Sequence, residues 1–174
     1  DGDLSLRNAF AAGWPVLVGR SRRDVLLLAR EAGELTWGAF DPTVGPILDA
    51  WGFPRGPARV PPDGEVARLL LCCGMAHIAI DPAMHTVSFD RPGIALDLGA
   101  IGKGYAVDRL GALLKGKGIP SGVVLSGTSS ILCWGAGPDG GPRRMEVANP
   151  ARPEECIGTV EIDPGAISTS ANTE

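Results

Sequence analysis

"HIAIDPAMHTVSFD" (77–90) and the run that follows it, "GIALDLGAIGKGYAVDRLGALLKGKG" (93–118), decide the fold. Two alternating apolar runs flank Asp81-Pro82-Ala83-Met84, which predicts a hairpin. "GIALDL" predicts a third strand. A helix is expected over 105–118, with Leu110, Leu113 and Leu114 facing one way and Lys115 to Gly118 ending it. Strands that arrive as a hairpin, and only then meet a helix, predict antiparallel pairing rather than strict β-α-β units.

The same pattern extends in both directions. "SRRDVLLLAREAGEL" (21–35) reads as a helix, with Ser21 as its cap and Asp24 placed as in a capping box. "WGAFDPTVGPILDAWGFPRG" (37–56) reads as a shaped loop with a short helix at 46–50. "PPDGEVARLLLCCGM" (61–75) predicts another helix, begun by Pro-Pro-Asp and stopped by Gly74. Downstream, "GVVLSG", "SSILCWG", "RRMEVANP" and "IGTVEID" are strand candidates, and "GAGPDGGPRR" is a turn. The expected fold class is α+β, with a largely antiparallel sheet and flanking helices, over a single domain spanning 1–174.

Bulk properties narrow the function. The 174 residues suffice for one domain with a core. A net charge of −4 argues against a nucleic-acid or anionic-membrane surface. No apolar run approaches the length of a membrane span. Gly 25 and Pro 15 are high counts, which suggests sites built from backbone. Cys72, Cys73, Cys133 and Cys156 form no C-x-x-C pair, so they read as buried free thiols rather than a zinc site. The chain opens on Asp1 and closes on a polar "STSANTE", so either end reads as a cut, and no leader is visible.

Chemistry concentrates in three places. In "DLGAIGKGYAVD" (97–108) glycines allow a ligand close to the backbone, and a helix start with Lys103 favours an anion. The pattern is neither a Walker loop nor a Rossmann fingerprint. Asp97 beside it either caps the loop or takes a hydrogen bond from a ligand. Asp41 in "AFDPTVGP" is a second carboxylate, equally readable as an Asx turn before Pro42. "STSAN" (168–172) is a hydroxyl cluster that alone reads as a turn. His77 and His85 read as surface or strand residues. Trp37, Trp51 and Trp134 read as core anchors.

"GAFDPTVGPILDAWGF", "LDLGAIGKGYAVDRLGALLKGKGI" and "AISTSAN", in this order and spacing, resemble the ApbE family of FAD:protein FMN transferases. "LSLRNAF" near the start is a looser match. The resemblance implies an α+β fold related to the tunnelling fold, with FAD as substrate and Mg²⁺. It implies transfer of the FMN half of FAD to a threonine of an acceptor flavoprotein, a subunit of a membrane redox complex, with AMP released. A magnesium-dependent FAD pyrophosphatase and a non-catalytic flavin-binding protein remain open beside it.

Site roles follow where the motifs match. Ala39, Phe40 and Asp41 are expected to line the flavin end. Asp97 and Lys103 are expected to contact the FAD, with Thr169 and Ser170 beside it. The backbone carbonyl of Ala100 is expected to reach the metal. No residue is assigned as the catalytic base. The sequence departs from the family at Leu125 to Ser130, where an acid is usual, and at Ala171, where glycine is usual. The family continues past this chain with a His-Ile-x-Asp-Pro-x-x-Gly stretch and further metal ligands. The chain therefore reads as the central part of the enzyme, cut at both ends. The resemblance implies a bacterial periplasmic or cell-envelope location, while the sequence itself leaves the cytoplasm open.

Overall fold

The computed structural model describes residues 14–53, 56–127 and 129–170. The "LSLRNAF" match, Ala171 and Asn172 lie outside them. The chain divides into two compact units, 1–101 and 102–174, with the boundary inside a helix.

In the first unit, β1 (Val16–Leu17), β2 (Ile78–Asp81) and β3 (Thr86–Phe89) form an antiparallel sheet in the order β1-β3-β2. The predicted hairpin is present, with Ile78 opposite Phe89 and Asp81 opposite Thr86. Its turn is shaped by Asp81, whose Oδ1 accepts the N–H groups of Ala83 and Met84, both at 2.9 Å. Helix α1 (Arg20–Leu35) packs Leu26 into the cluster of Val18, Ile78, Val87, Phe89, Ile94 and Leu96. Leu26 is wholly buried. Burying such a side chain is worth about 1.5–3 kcal/mol.

The predicted capping box does not form. Helix α1 begins one residue earlier, with Gly19 as N-cap and no side-chain cap. Asp24 instead receives the Arg23 guanidinium at 2.6 Å. Helix α2 (Gly45–Ala50) has Pro46 in its first turn, where a missing N–H costs nothing. Helix α3 (Asp63–Leu70) is shorter than expected and continues as turn before a 3-10 segment at Met75–His77.

"GIALDL" is not a sheet strand. Its one backbone bridge is Ala95 to Val44, parallel, so the "FDPTV" loop takes the ladder positions another strand would need. Ile94, Ala95 and Leu96 are nevertheless buried.

In the second unit, β4 (Gly122–Ser126), β5 (Ser130–Trp134) and β8 (Gly165–Ser168) form a sheet in the order β4-β5-β8, both pairings antiparallel. The sequence reading lacked β8, which has four residues and a non-local partner. β6 (Arg143–Asn149) and β7 (Arg152–Ile162) make a separate two-stranded ribbon. Helix α4 (Gly99–Gly116) lays Val107, Gly111 and Leu114 towards the second core with Val124, Leu132 and Trp134. That stripe replaces the expected one: Leu110 and Leu113 are exposed. Gly111 is what shifts it, because a Cβ there would run into the Leu132 side chain.

Of Trp37, Trp51 and Trp134, only Trp134 is in a core. Trp37 is 97% exposed, at φ +56° just past α1, and Trp51 stands at the surface end of α2. The cysteines are free, but only Cys133 is buried; Cys72 and Cys73 sit half-buried in the turn after α3, and Cys156 is exposed on β7. His77 pairs with Asp90 at 3.0 Å. The His85 ring meets Arg23 from a turn position at φ +55°.

Candidate functional site

The first unit fastens two motifs to each other. The Asp97 N–H donates to the Pro42 carbonyl at 2.7 Å, next to the Val44–Ala95 bridge. Gly45 lies against this join, and a Cβ there would stand 2.6 Å from the Ala95 carbonyl oxygen. "FDPTVG" and "ALDLG" are thus a matched pair, and the chain segments carrying Asp41 and Asp97 run together.

Both carboxylates are half-buried and partly committed. Asp41 Oδ1 accepts the Thr43 N–H at 2.8 Å and the Thr43 hydroxyl at 2.6 Å. Thr43 is wholly buried, and its hydroxyl oxygen in turn accepts the Gly74 N–H at 2.5 Å. Asp41 is therefore held by an Asx turn, as one of its two sequence readings required. Asp97 Oδ1 accepts the Gly99 N–H at 2.8 Å. Each residue has a second carboxylate oxygen without a protein hydrogen bond among the described residues. Burial raises the Cys73 thiol pKa, and the Asp41 charge adds to that.

Ala39 and Phe40 are held by the end of α1. Thr36 Oγ accepts the Phe40 N–H at 3.0 Å and donates to the Ala32 carbonyl at 2.8 Å. The Ala39 N–H donates to the Thr36 carbonyl at 3.0 Å. Ala39 is exposed and Phe40 is half-buried.

The expected glycine loop is helix. α4 starts at Gly99, so Gly102, Lys103 and Gly104 lie in its first two turns. A Cβ at Gly102 or Gly104 would meet nothing within 4 Å, so the backbone there is bare. Lys103 is exposed, and its Nζ donates to Ser129 Oγ at 2.7 Å. The Ser129 carbonyl accepts the Thr169 N–H at 2.8 Å. Within the second unit, Lys103, the β4–β5 turn and the end of β8 converge. Thr169 and Ser170 are exposed just beyond β8. Ser129 is the participant that sequence reading missed; its only signal was the hydroxyl run where an acid is usual.

Ala100 is the second residue of α4. Its carbonyl is one oxygen, whereas magnesium takes near-octahedral oxygen ligation. Among the described residues no three His, Cys, Asp or Glu side chains form a metal cluster. The described residues do not by themselves fit the ion. Two clefts, along α1 by Asp24 and Glu31 and beside β6 by Val123 and Met145, are lined by none of the expected site residues.

This fold is that of solved flavin transferases. It superposes on the flavin transferase ApbE of Vibrio cholerae with a TM-score of 0.82 and 31% identity, covering 98% of this chain and 55% of that one. The ApbE protein of Thermotoga maritima gives 0.81 at 29% identity, over 94% and 52%. The chain belongs to the ApbE family, whose model matches residues 1–174. The FAD:protein FMN transferase of Vibrio cholerae is 34% identical over 99% of this chain and 52% of its own. That of Salmonella typhimurium is 32% identical over 92% and 47%. The chain spans about half the length of these curated relatives.

Proposed function

We propose that the protein carrying this chain transfers the FMN part of FAD to a threonine of an acceptor flavoprotein and releases AMP. The acceptor hydroxyl attacks the FMN-side phosphorus. A phosphorus–oxygen bond to the threonine forms, and the bond to the bridging oxygen breaks. AMP leaves with that electron pair, and the hydroxyl proton passes to a base this span does not assign.

The supporting observation is the convergence of Lys103 in the first turns of α4, Ser129 in the β4–β5 turn and Thr169 at the end of β8. Phosphoryl transfer is catalysed chiefly by positioning and charge neutralisation. An exposed ammonium between two glycines, at a helix N-terminal end, suits a diphosphate. Asp41 is proposed to line the flavin end and Asp97 to contact the FAD, each with one carboxylate oxygen left to accept a hydrogen bond. Magnesium dependence belongs to this proposal, with the Ala100 carbonyl as one ligand and the rest of the shell supplied from outside the described residues. The acceptor is proposed to be a subunit of a membrane redox complex and the location the bacterial cell envelope.

The test mixes the complete gene product containing this chain with FAD, Mg²⁺ and a threonine-bearing acceptor domain, and weighs the acceptor. A gain of one FMN, lost in Lys103→Ala, is the expected result. FMN and AMP with no gain would mean a pyrophosphatase, and neither product a flavin-binding protein.

A further inference from the structure

We propose that Ser129 is a positioning residue that aims the Lys103 ammonium at the diphosphate of a dinucleotide without cancelling its charge; this rests on the reading of Lys103 given above.

Lys103 is exposed, and the residues one turn back on α4 that its stem lies over, Gly99 and Ala100, offer it little to pack against. Holding a free lysine in one geometry opposes its rotamer entropy. Ser129 Oγ supplies the restraint, accepting one Nζ proton at 2.7 Å. An ammonium has three donors, so two stay available to an anion.

Ser129 can restrain because it is itself restrained. Its carbonyl accepts the Thr169 N–H at 2.8 Å, and the next residue, Ser130, lies opposite Ser168 in the β5–β8 ladder. Its hydroxyl therefore projects from backbone pinned to the strand that leads into Thr169 and Ser170. The Lys103 position is registered to that turn through one residue.

The neutrality of the hydroxyl matters. A carboxylate at 129 would also hold Lys103, but as an ion pair, and would place a negative charge beside the diphosphate. Serine fixes the geometry and leaves the full positive charge for the ligand.

The experiment measures FAD affinity of the complete gene product by flavin fluorescence titration, with riboflavin, which lacks the diphosphate, as control. Lys103→Ala should weaken FAD about tenfold or more. Ser129→Ala should weaken it about 3- to 10-fold, and Ser129→Thr, which keeps the hydroxyl, should restore it. Ser129→Asp should lose at least as much as Lys103→Ala. The Lys103→Ala/Ser129→Ala pair should match Lys103→Ala alone within about twofold. Riboflavin binding should not move in any variant, which a merely structural role for Ser129 would not produce. A loss with Lys103→Ala but wild-type affinity in Ser129→Ala or Ser129→Asp would overturn the inference and leave the site reading standing. Unchanged affinity in Lys103→Ala would overturn both.

Discussion

The amide of Asp97 donates to the carbonyl of Pro42 at 2.7 Å, across 55 residues of sequence. This bond and the Val44–Ala95 bridge beside it make a single scaffold from two loops that each carry one acid. Neither loop has a ladder of its own, so the acids depend on this join.

Thr43→Val tests the join from below. It keeps the shape and removes a hydroxyl that bonds Asp41 and Gly74. The Gly74 N–H is left without its acceptor in a part-buried setting, which costs up to about 1–3 kcal/mol. Urea unfolding should show the loss, and FAD affinity should fall as Asp41 loosens. Wild-type values for both would show that the turn holds without Thr43.

Two glycine substitutions should go in opposite directions. Gly45→Ala places a methyl 2.6 Å from the Ala95 carbonyl oxygen, where only backbone can give way. A loss of about 1–3 kcal/mol is expected. Gly102→Ala meets open space within a helix and should stabilise by up to about 1 kcal/mol. It should nevertheless weaken FAD binding, because the methyl covers backbone that the glycine leaves open next to Lys103. Thermal unfolding and titration on the same samples decide both points.

Thiol reactivity should follow exposure and pKa. Burial pushes the Cys133 thiol up, only partly offset by the Arg143 charge, and Cys73 is raised by burial and by Asp41. Thiolate is the reactive form. Cys156 on exposed β7 should alkylate first at neutral pH and Cys133 last, as mass spectrometry of timed digests would show. Early labelling of Cys133 would contradict its burial in β5.

Acid should weaken the 77–91 segment. The Arg91 guanidinium first, and then the His77 ring, hold the Asp90 carboxyl below its ordinary range. A depressed carboxylate stabilises the fold above its unfolded pKa, near about pH 4. That contribution is lost as pH falls through the lower folded value. Asp90→Asn should flatten the acid limb of the stability profile below about pH 4. A steeper acid limb would mean Asp90 is not depressed.

Magnesium should bind this span poorly on its own. The Ala100 carbonyl is a single ligand, and no acidic cluster supports it among the described residues. Calorimetry on the folded span should give no saturable isotherm; a tight one would reveal ligands the described residues do not provide.

Local pattern was enough for the elements whose partners are close in sequence. Helix α1 and the β2–β3 hairpin follow from periodicity and from the Asp81 turn. It failed where a distant partner decides. "GIALDL" has the composition of a strand, yet its neighbour is the 42–44 loop. β8 is invisible locally because its partner β5 lies more than thirty residues away. Trp37 is apolar, but it follows the helix end at a left-handed φ that turns it outward. At the site, the anion-binding character of 97–104 was legible from glycine and lysine, while its helical state was not, since glycine argues against helix. Ser129 could not be paired with Lys103 from spacing alone, as 26 residues separate them.

Three glycines in the first six residues of α4 have a thermodynamic consequence. Each lowers helix stability by about 1 kcal/mol relative to alanine. That end should therefore open far more often than the stretch from Ala106 to Lys115, and its amides should exchange with deuterium earliest. A bound dinucleotide would suppress that opening, making amide protection at 102–105 a direct readout of occupancy.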